Sequence, residues 1–202
     1  MKIVVLANKN QQEEFFTRGI KAEFQVVDTF EYFIKTDADA YIDLLYNKDE
    51  SRIKELKKFL PRPIIINSVI DTLADSCDQF IRINGWPTFL KSTVIEAAAN
   101  GPESKEVADN ILSIVGKKIE WVPDQPGFIS ARVISMIINE AFWALSEGVS
   151  TKNEIDTAMK LGTNYPYGPF EWAEIIGAKN IKELLRRMAE EDSKYKPAPG
   201  IE

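Results

Sequence analysis

The stretch DESRIKELKKFLPRPIIIN, residues 49–67, carries the pattern that decides the fold class. Its first part, Asp49 to Leu60, places apolar residues at helical spacing with charged residues between them, which predicts an amphipathic helix. Two prolines end that helix, and Ile64 to Asn67 then begins as a continuous apolar run, typical of a strand that is buried on both faces. A helix that leads directly into a buried strand is the repeating unit of a parallel α/β sheet.

The same pattern extends in both directions from this stretch. Further strands are predicted at Ile3–Leu6, Phe24–Asp28, Ala40–Tyr46, Gln79–Ile83, Thr93–Ala97 and Ile119–Val122. Two more helices are predicted at Gln11–Arg18 and Pro102–Val115, the second of them closed by Gly116 as its C′ glycine. Strands that alternate with helices predict an α/β domain with a mostly parallel sheet, which we place at residues 1–123.

The character of the sequence changes at the segment 123–127, which is rich in proline and glycine. Ile129 to Leu145 is apolar almost all round, which predicts a helix buried in a bundle or against a second chain. Thr151 and Glu154 have the spacing of a capping box at the start of another helix. Further helices are predicted at Phe170–Ile176 and Lys179–Glu191. Residues 124–202 are therefore expected to form an all-α domain.

The composition excludes several classes of chemistry. The chain of 202 residues contains no histidine, which removes imidazole as a general base and as a metal ligand. Its one cysteine, Cys77, cannot form an internal disulfide or a cysteine-rich zinc site, so we interpret it as a structural thiol and expect no metal. A net charge of -6 disfavours binding to nucleic acid. No apolar run reaches the length of a membrane span, and we expect a cytoplasmic protein.

Residues 126–177 carry an ordered series of motifs. They are PGFISAR at 126–132, NEA at 139–141, EGV at 147–149, EIDTAMKLG at 154–162 and YPYGPFE at 165–171. In content, order and spacing the series resembles the C-terminal domain of the 3-hydroxyacyl-CoA dehydrogenase family, 3-hydroxybutyryl-CoA dehydrogenases included. The resemblance identifies the chain as a shortened, divergent member of a family of NAD-dependent oxidoreductases of fatty-acid metabolism. It also implies a homodimer through the C-terminal helices and an acyl-CoA ligand.

The N-terminal half resembles the family's Rossmann dinucleotide-binding domain in a degenerate form. After the first strand the family has G-x-G-x-x-G, whose glycines let the backbone approach the cofactor pyrophosphate. This chain reads ANKNQQE at 7–13, without a glycine, and Glu13 would add a repelling charge if it lay at the helix start. The resemblance therefore implies NAD as the cofactor, with binding that is weak or lost. It matches Asp28 to the ribose-binding acid, and Asn47 and Arg52 to a Glu and a Lys that contact the cofactor.

Three differences concern the substrate side of the family's site. Asn67 and Ser68 match the family's S-N-T-S stretch, whose second serine falls on Val69. Ala131 stands where the family has an active-site asparagine. The longer helical insertion that the family carries after its second strand is reduced here to residues 29–39, which removes part of the implied CoA-binding surface.

The catalytic loop of the family is a further difference. Trp86 lies just before the expected H-F-F-N-P loop, but the chain continues Pro87-Thr88-Phe89 where the histidine should follow. Glu96 matches the glutamate that orients this histidine, and it is retained although its partner is absent. In the family, the histidine takes the hydroxyl proton while NAD accepts a hydride, so these substitutions remove the general base.

Three hypotheses stay open at this point. The first is a degenerate family member that lacks the hydride chemistry and retains binding of an acyl-CoA or of a protein partner. The second is a functioning NAD-dependent oxidoreductase of 3-hydroxyacyl-CoA metabolism in which Glu96 or a bound water replaces the histidine. The third is a structural dimer module in which the apolar helix at 129–145 pairs two chains.

Overall fold

The computed structural model describes residues 1–16 and 24–201, which form two compact units, Met1–Phe128 and Ile129–Glu202. The strands of the first unit are β1 (Ile3–Leu6), β2 (Phe24–Val27), β3 (Ala40–Asp43), β4 (Ile64–Asn67), β5 (Ile81–Ile83), β6 (Val94–Ala99) and β7 (Lys118–Trp121). Its helices are α1 (Lys9–Phe15), α2 (Phe30–Lys35), α3 (Glu50–Lys57) and α4 (Pro102–Ile114). The predicted α/β character of this part of the chain is therefore confirmed.

The strands form one sheet in the order β2-β1-β3-β4-β5-β6-β7, and every neighbouring pair except β5 and β6 is parallel. From β1 the chain moves outward to β2, and it then returns to place β3 on the other side of β1. The sheet order therefore reverses between β1 and β3. In open α/β sheets, ligands bind at such a reversal, outside the carboxyl ends of the strands.

The central strands are apolar on both faces because helices cover both faces. All four residues of β1 are at most 1 % exposed, and so are Ile64, Ile65 and Ile66 on β4. Alternate residues of β1 belong to two different clusters, with Val5 in one and Val4 in the other. Burying an isoleucine or valine side chain contributes roughly 1.5–3 kcal/mol, so these short strands carry much of the stability of the unit.

Several predicted boundaries differ from the structure. The strand predicted to reach Tyr46 ends at Asp43, because the chain turns at the next two residues. The helix predicted from Gln11 begins at Lys9, and its predicted end at residues 17–18 lies outside the described residues. Helix α2 was not predicted at all; it begins after Thr29, whose side chain accepts a hydrogen bond from the Tyr32 backbone.

The second unit is helical in its described part, with α5 (Ser130–Ser146), α6 (Lys152–Thr163), α7 (Pro169–Ile176), α8 (Ala178–Ala189) and a 3₁₀ turn at Ser193–Tyr195. The predicted capping box of Thr151 and Glu154 starts α6. The side chain of Asp156 on α6 accepts a hydrogen bond from the Phe170 backbone at 2.9 Å and so joins α6 to α7. A Cβ on Gly168 would lie 2.3 Å from the Asp156 Cγ, so this position requires glycine.

Asn139 on α5 holds the end of the chain against the second unit. Its Nδ2 donates to the Lys196 carbonyl at 3.0 Å, and its Oδ1 accepts from the Ala198 amide at 2.7 Å. Asn139 and Ala198 are both buried. The NEA motif at 139–141 therefore has a structural role, which is to satisfy backbone groups of the tail.

Within residues 1–16 and 24–201, no helix is both long enough and apolar enough to span a bilayer.

Candidate functional site

The turn between β1 and α1 lies at the sheet reversal, and its own side chains satisfy its backbone. The Asn8 side chain accepts a hydrogen bond from the Gln11 amide at 2.9 Å, and the Gln11 side chain accepts from the Asn8 amide at 3.1 Å. This reciprocal capping box occupies amides at the start of α1, which is where a phosphate binds in dinucleotide folds. Glu13 is the fifth residue of α1, so the condition for its expected repulsion, a place at the helix start, is not met.

Gln11 also crosses the sheet reversal. Its Nε2 donates to the carbonyl of Leu44, the residue that follows β3, at 2.6 Å. The same carbonyl accepts a second hydrogen bond, from the Nδ2 of Asn67 at 3.1 Å. The two amide side chains therefore connect the start of α1 with the ends of β3 and β4, along the edge where ligands bind in this class of sheet.

Asn67, a predicted substrate-cleft residue, has its side chain fully engaged with the backbone. Besides Leu44, its Nδ2 donates to the Gly85 carbonyl at 3.1 Å, and its Oδ1 accepts from the Gly85 amide at 2.9 Å. A Cβ on Gly85 would lie 2.5 Å from the Asn67 Cγ, so the contact requires glycine at position 85. Asn67 thus fastens the turn after β5 to the end of β4.

Arg82 on β5 is a buried charge that organises the segment after β4. Its side chain is 0 % exposed and pairs with Asp124. It also donates to the Ser68 carbonyl at 3.0 Å, and its guanidinium lies 4.1 Å from the Phe128 ring centroid. Burial lowers the pKa of Arg82, and the Asp124 carboxylate opposes that shift. Ser68, a predicted cleft residue, is itself buried and donates its hydroxyl to the Asp71 carbonyl at 2.9 Å.

Arg52, a predicted cofactor contact, is held by an internal ion pair. Its Nε and Nη2 donate to the two carboxylate oxygens of Asp43 at 2.8 and 2.7 Å. Its guanidinium also lies 4.3 Å from the centroid of the Phe30 ring. Asp43 is 0 % exposed; burial raises its pKa, and the Arg52 guanidinium opposes that rise. The other two predicted cofactor contacts, Asp28 and Asn47, are exposed.

Glu96 on β6, the predicted catalytic carboxylate, has an asparagine as a partner. The Nδ2 of Asn84 donates to the Glu96 Oε2 at 2.9 Å, and the Asn84 amide donates to the Glu96 carbonyl at 3.0 Å. Asn84 is 1 % exposed. No role was predicted for Asn84 from the sequence. The side-chain amide of Asn84 therefore donates to Glu96, whereas the family resemblance expects a histidine imidazole as the partner of this carboxylate.

Residues 86–92 follow Gly85 and stand where the resemblance expects the catalytic loop. Trp86 is buried and Pro87 is exposed. Thr88 has a φ of 76°, which is a strained value for a residue with a β-branched side chain. Its amide donates to both carboxylate oxygens of Glu14 on α1, at 3.0 Å each. The strained backbone is thus held by a charged side chain.

The predicted site residues are divided between the two units. Ala131, the remaining predicted cleft residue, is fully buried on α5 of the second unit, whereas the others lie in the first unit. No group of three His, Cys, Asp or Glu side chains among the described residues could hold a metal ion. Gln11, Asp43, Arg82 and Asn84 are polar residues of the first unit to which the sequence analysis gave no role.

Comparison with known proteins gives a consistent set of relatives. A family model described as the C-terminal domain of 3-hydroxyacyl-CoA dehydrogenase matches residues 127–202. The 3-hydroxyadipyl-CoA dehydrogenase of Escherichia coli is 35 % identical over 168 residues, which are 81 % of this chain and 32 % of the relative. The 3-hydroxybutyryl-CoA dehydrogenase of Bradyrhizobium diazoefficiens is 31 % identical over 81 % of this chain and 61 % of its own.

Among solved structures, the (S)-3-hydroxybutyryl-CoA dehydrogenase of Ralstonia eutropha superposes with a TM-score of 0.71 at 25 % identity. That match covers 89 % of this chain and 69 % of the other. The chain thus spans between about a third and three fifths of the length of the two curated relatives. Both matches to curated relatives extend beyond residues 127–202 into the first unit, because they cover 81 % of the chain.

Proposed function

The chain belongs to the 3-hydroxyacyl-CoA dehydrogenase family, and from that premise we propose that it is a degenerate member without the family's hydride transfer. In this proposal the protein binds an acyl-CoA, or a protein partner, rather than oxidising a hydroxyacyl group. NAD, the cofactor that the family implies, binds weakly or not at all.

The single observation that carries the proposal is the state of the turn after β1. The amides that would face a pyrophosphate are engaged by the capping box of Asn8 and Gln11, and Gln11 reaches on to the Leu44 carbonyl. A dinucleotide at this edge would have to displace these hydrogen bonds and would gain no glycine-lined approach in return. The residues present therefore do not fit the pyrophosphate of NAD.

The environment of Glu96 supports the same proposal. An amide partner such as Asn84 can donate a hydrogen bond to a carboxylate, but it cannot take up a proton at neutral pH as an imidazole does. Asn84 therefore does not replace the imidazole as an acceptor for a hydroxyl proton. Loss of a general base typically lowers the rate by about two to four orders of magnitude.

We further propose a homodimer that forms through the C-terminal helices. The apolar side chains of Ile129 and Val133, at and near the start of α5, are 54 % and 51 % exposed. They are four residues apart and lie on one side of the helix, so a second chain could bury both.

A cytoplasmic location is also part of the proposal, because the chain has one cysteine and does not depend on a disulfide.

The test is a calorimetric titration of the purified protein with NADH, followed by a titration with butyryl-CoA. We expect no NADH binding below about 1 mM and measurable binding of the acyl-CoA. A turnover assay with (S)-3-hydroxybutyryl-CoA and NAD at pH 7 to 9 completes the test. Oxidation at a rate usual for dehydrogenases, roughly 1–1000 per second, would contradict the proposal.

A working oxidoreductase is the second candidate, and the retention of Glu96 is the observation that favours it. In that case Glu96, or a water that it holds, accepts the proton. NADH binding in the micromolar range, together with an activity that Glu96→Gln abolishes, would establish this candidate. An activity that survives Glu96→Gln would exclude Glu96 as the base.

A further inference from the structure

A buried lysine binds the backbone of the segment at residues 86–92, in addition to Glu14. Lys117, which directly precedes β7, donates from its Nζ to the Leu90 carbonyl and, at 3.0 Å, to the Ser92 carbonyl. The side chain of Glu14 holds the Thr88 amide of the same segment. One carboxylate and one ammonium group therefore hold the segment closed, each through hydrogen bonds to its backbone.

The environment of Lys117 is unusual for an ammonium group. The residue is 3 % exposed, and the hydrogen-bond acceptors of its Nζ are backbone carbonyls rather than a carboxylate. The ring of Phe15 lies 5.5 Å from the Nζ. A buried ammonium group without an opposite charge in direct contact loses more hydration free energy than two carbonyls and a ring return.

We propose that Lys117 makes the closure of the 86–92 segment depend on pH, such that the charged ammonium weakens the closed segment near neutrality and its deprotonation tightens it. The proposal goes beyond the proposed function and does not rest on it, because it concerns a segment of the first unit whether or not a cofactor binds. An open 86–92 segment would expose Lys117 to water and relieve the penalty on its charge.

The direction of the effect follows from proton linkage. Burial lowers the pKa of Lys117 to about 8, and the Glu14 carboxylate on α1 partly opposes that shift. In the open segment the pKa returns toward the ordinary value of 10.5. The closed form therefore binds fewer protons than the open form between these two values, and raising the pH favours closure. The neighbouring charged residues Lys91 and Lys118 are exposed.

The test is the rate at which trypsin cleaves after Lys91, which lies inside the segment. The initial rate is divided, at each pH, by the rate for a synthetic peptide of residues 86–96, so that the pH dependence of trypsin itself cancels. Cleavage of a segment that opens and closes rapidly follows the population of the open form. From pH 7.5 to pH 9.5 we expect this normalised rate to fall about tenfold or more in the unmodified protein.

Three variants locate the effect at Lys117. Lys117→Met carries no charge and Lys117→Arg carries one throughout this pH range, so both should give a flat profile. Glu14→Gln keeps an acceptor for Thr88 but removes the opposing charge, so its fall should begin at lower pH. Lys118→Met, at the exposed neighbouring position, is the matched control and should behave as the unmodified protein does.

The proposal is overturned if the normalised rate of the unmodified protein stays constant or rises between pH 7.5 and pH 9.5. It is also overturned if Lys117→Arg shows the same fall as the unmodified protein. Because Lys117→Arg keeps the positive charge throughout this pH range, it decides the question even if Lys117→Met fails to fold.

Discussion

Replacing Gly85 with alanine should break the hydrogen bonds that join Asn67, at the end of β4, to the turn after β5. The added Cβ would lie 2.5 Å from the Asn67 Cγ, closer than side-chain carbons approach, so the Asn67 amide must leave its place. That amide makes three hydrogen bonds, to the Leu44 carbonyl and to both backbone groups of Gly85. At about 1 kcal/mol net for each bond, Gly85→Ala should lower the free energy of unfolding by about 3 kcal/mol.

The assay is urea unfolding followed by tryptophan fluorescence, in a cycle of Gly85→Ala, Asn67→Ala and the double variant. Asn67→Ala vacates the space that the new Cβ needs, so Gly85→Ala should cost less than about 0.5 kcal/mol in that background. The coupling between the two positions should therefore be about 2.5–3 kcal/mol. If Gly85→Ala is as stable as the unmodified protein, or lowers the free energy of unfolding equally in both backgrounds, the contact between Asn67 and Gly85 does not stabilise this end of the sheet.

Three further outcomes are expected from the same unfolding assay. Arg52→Met leaves the buried Asp43 carboxylate unpaired and should destabilise the protein by about 3–5 kcal/mol. Adding Asp43→Asn to this variant removes the unpaired charge and should restore most of the lost stability. If the double variant is no more stable than Arg52→Met, the loss does not come from the unpaired carboxylate. Burial tends to raise the pKa of Asp75, but its hydrogen bonds to Thr72 and its pairing with Lys48 lower this pKa to about 2. The contribution of Asp75 to the free energy of unfolding should therefore be present above pH 3.8 and lost toward pH 2. Asp75→Asn should remove this part of the loss of stability at acid pH. If the free energy of unfolding of Asp75→Asn falls with acid as it does in the unmodified protein, Asp75 is not its source. Gly162→Ala on α6 meets no atom within 4 Å and should raise the stability by up to about 1 kcal/mol through helix propensity, whereas a loss would indicate an unseen contact.

Much of the fold could be predicted because its signals are local. The runs at Ile3–Leu6 and Ile64–Asn67 lack alternation because both faces of the central strands are covered, and their bounds match the structure. The capping box at Thr151 and Glu154 is likewise set by residues three apart. Helix α2 was missed although Thr29, an N-cap residue, precedes Phe30 and Phe33 at helical spacing.

The candidate site was less predictable because its contacts join residues that are distant in sequence. The bond from Gln11 to Leu44 spans 33 positions, and no spacing rule connects them. A signal for Arg82 was present, since a charged residue in the apolar run Phe80 to Ile83 requires a buried partner. The sequence alone could not identify that partner as Asp124, because the acid lies 42 positions further along the chain.

The carbonyl of Leu44 also bears on any attempt to engineer a nucleotide site into this protein. A carbonyl oxygen has two lone pairs, and here both are used, one by Gln11 and one by Asn67. Exchanging Gln11 for glycine would free one lone pair, remove half of the cap of α1 and leave Asn67 in position. Converting this edge into a phosphate cradle would therefore require concerted changes on α1 and on β4, together with a new source of stability for α1.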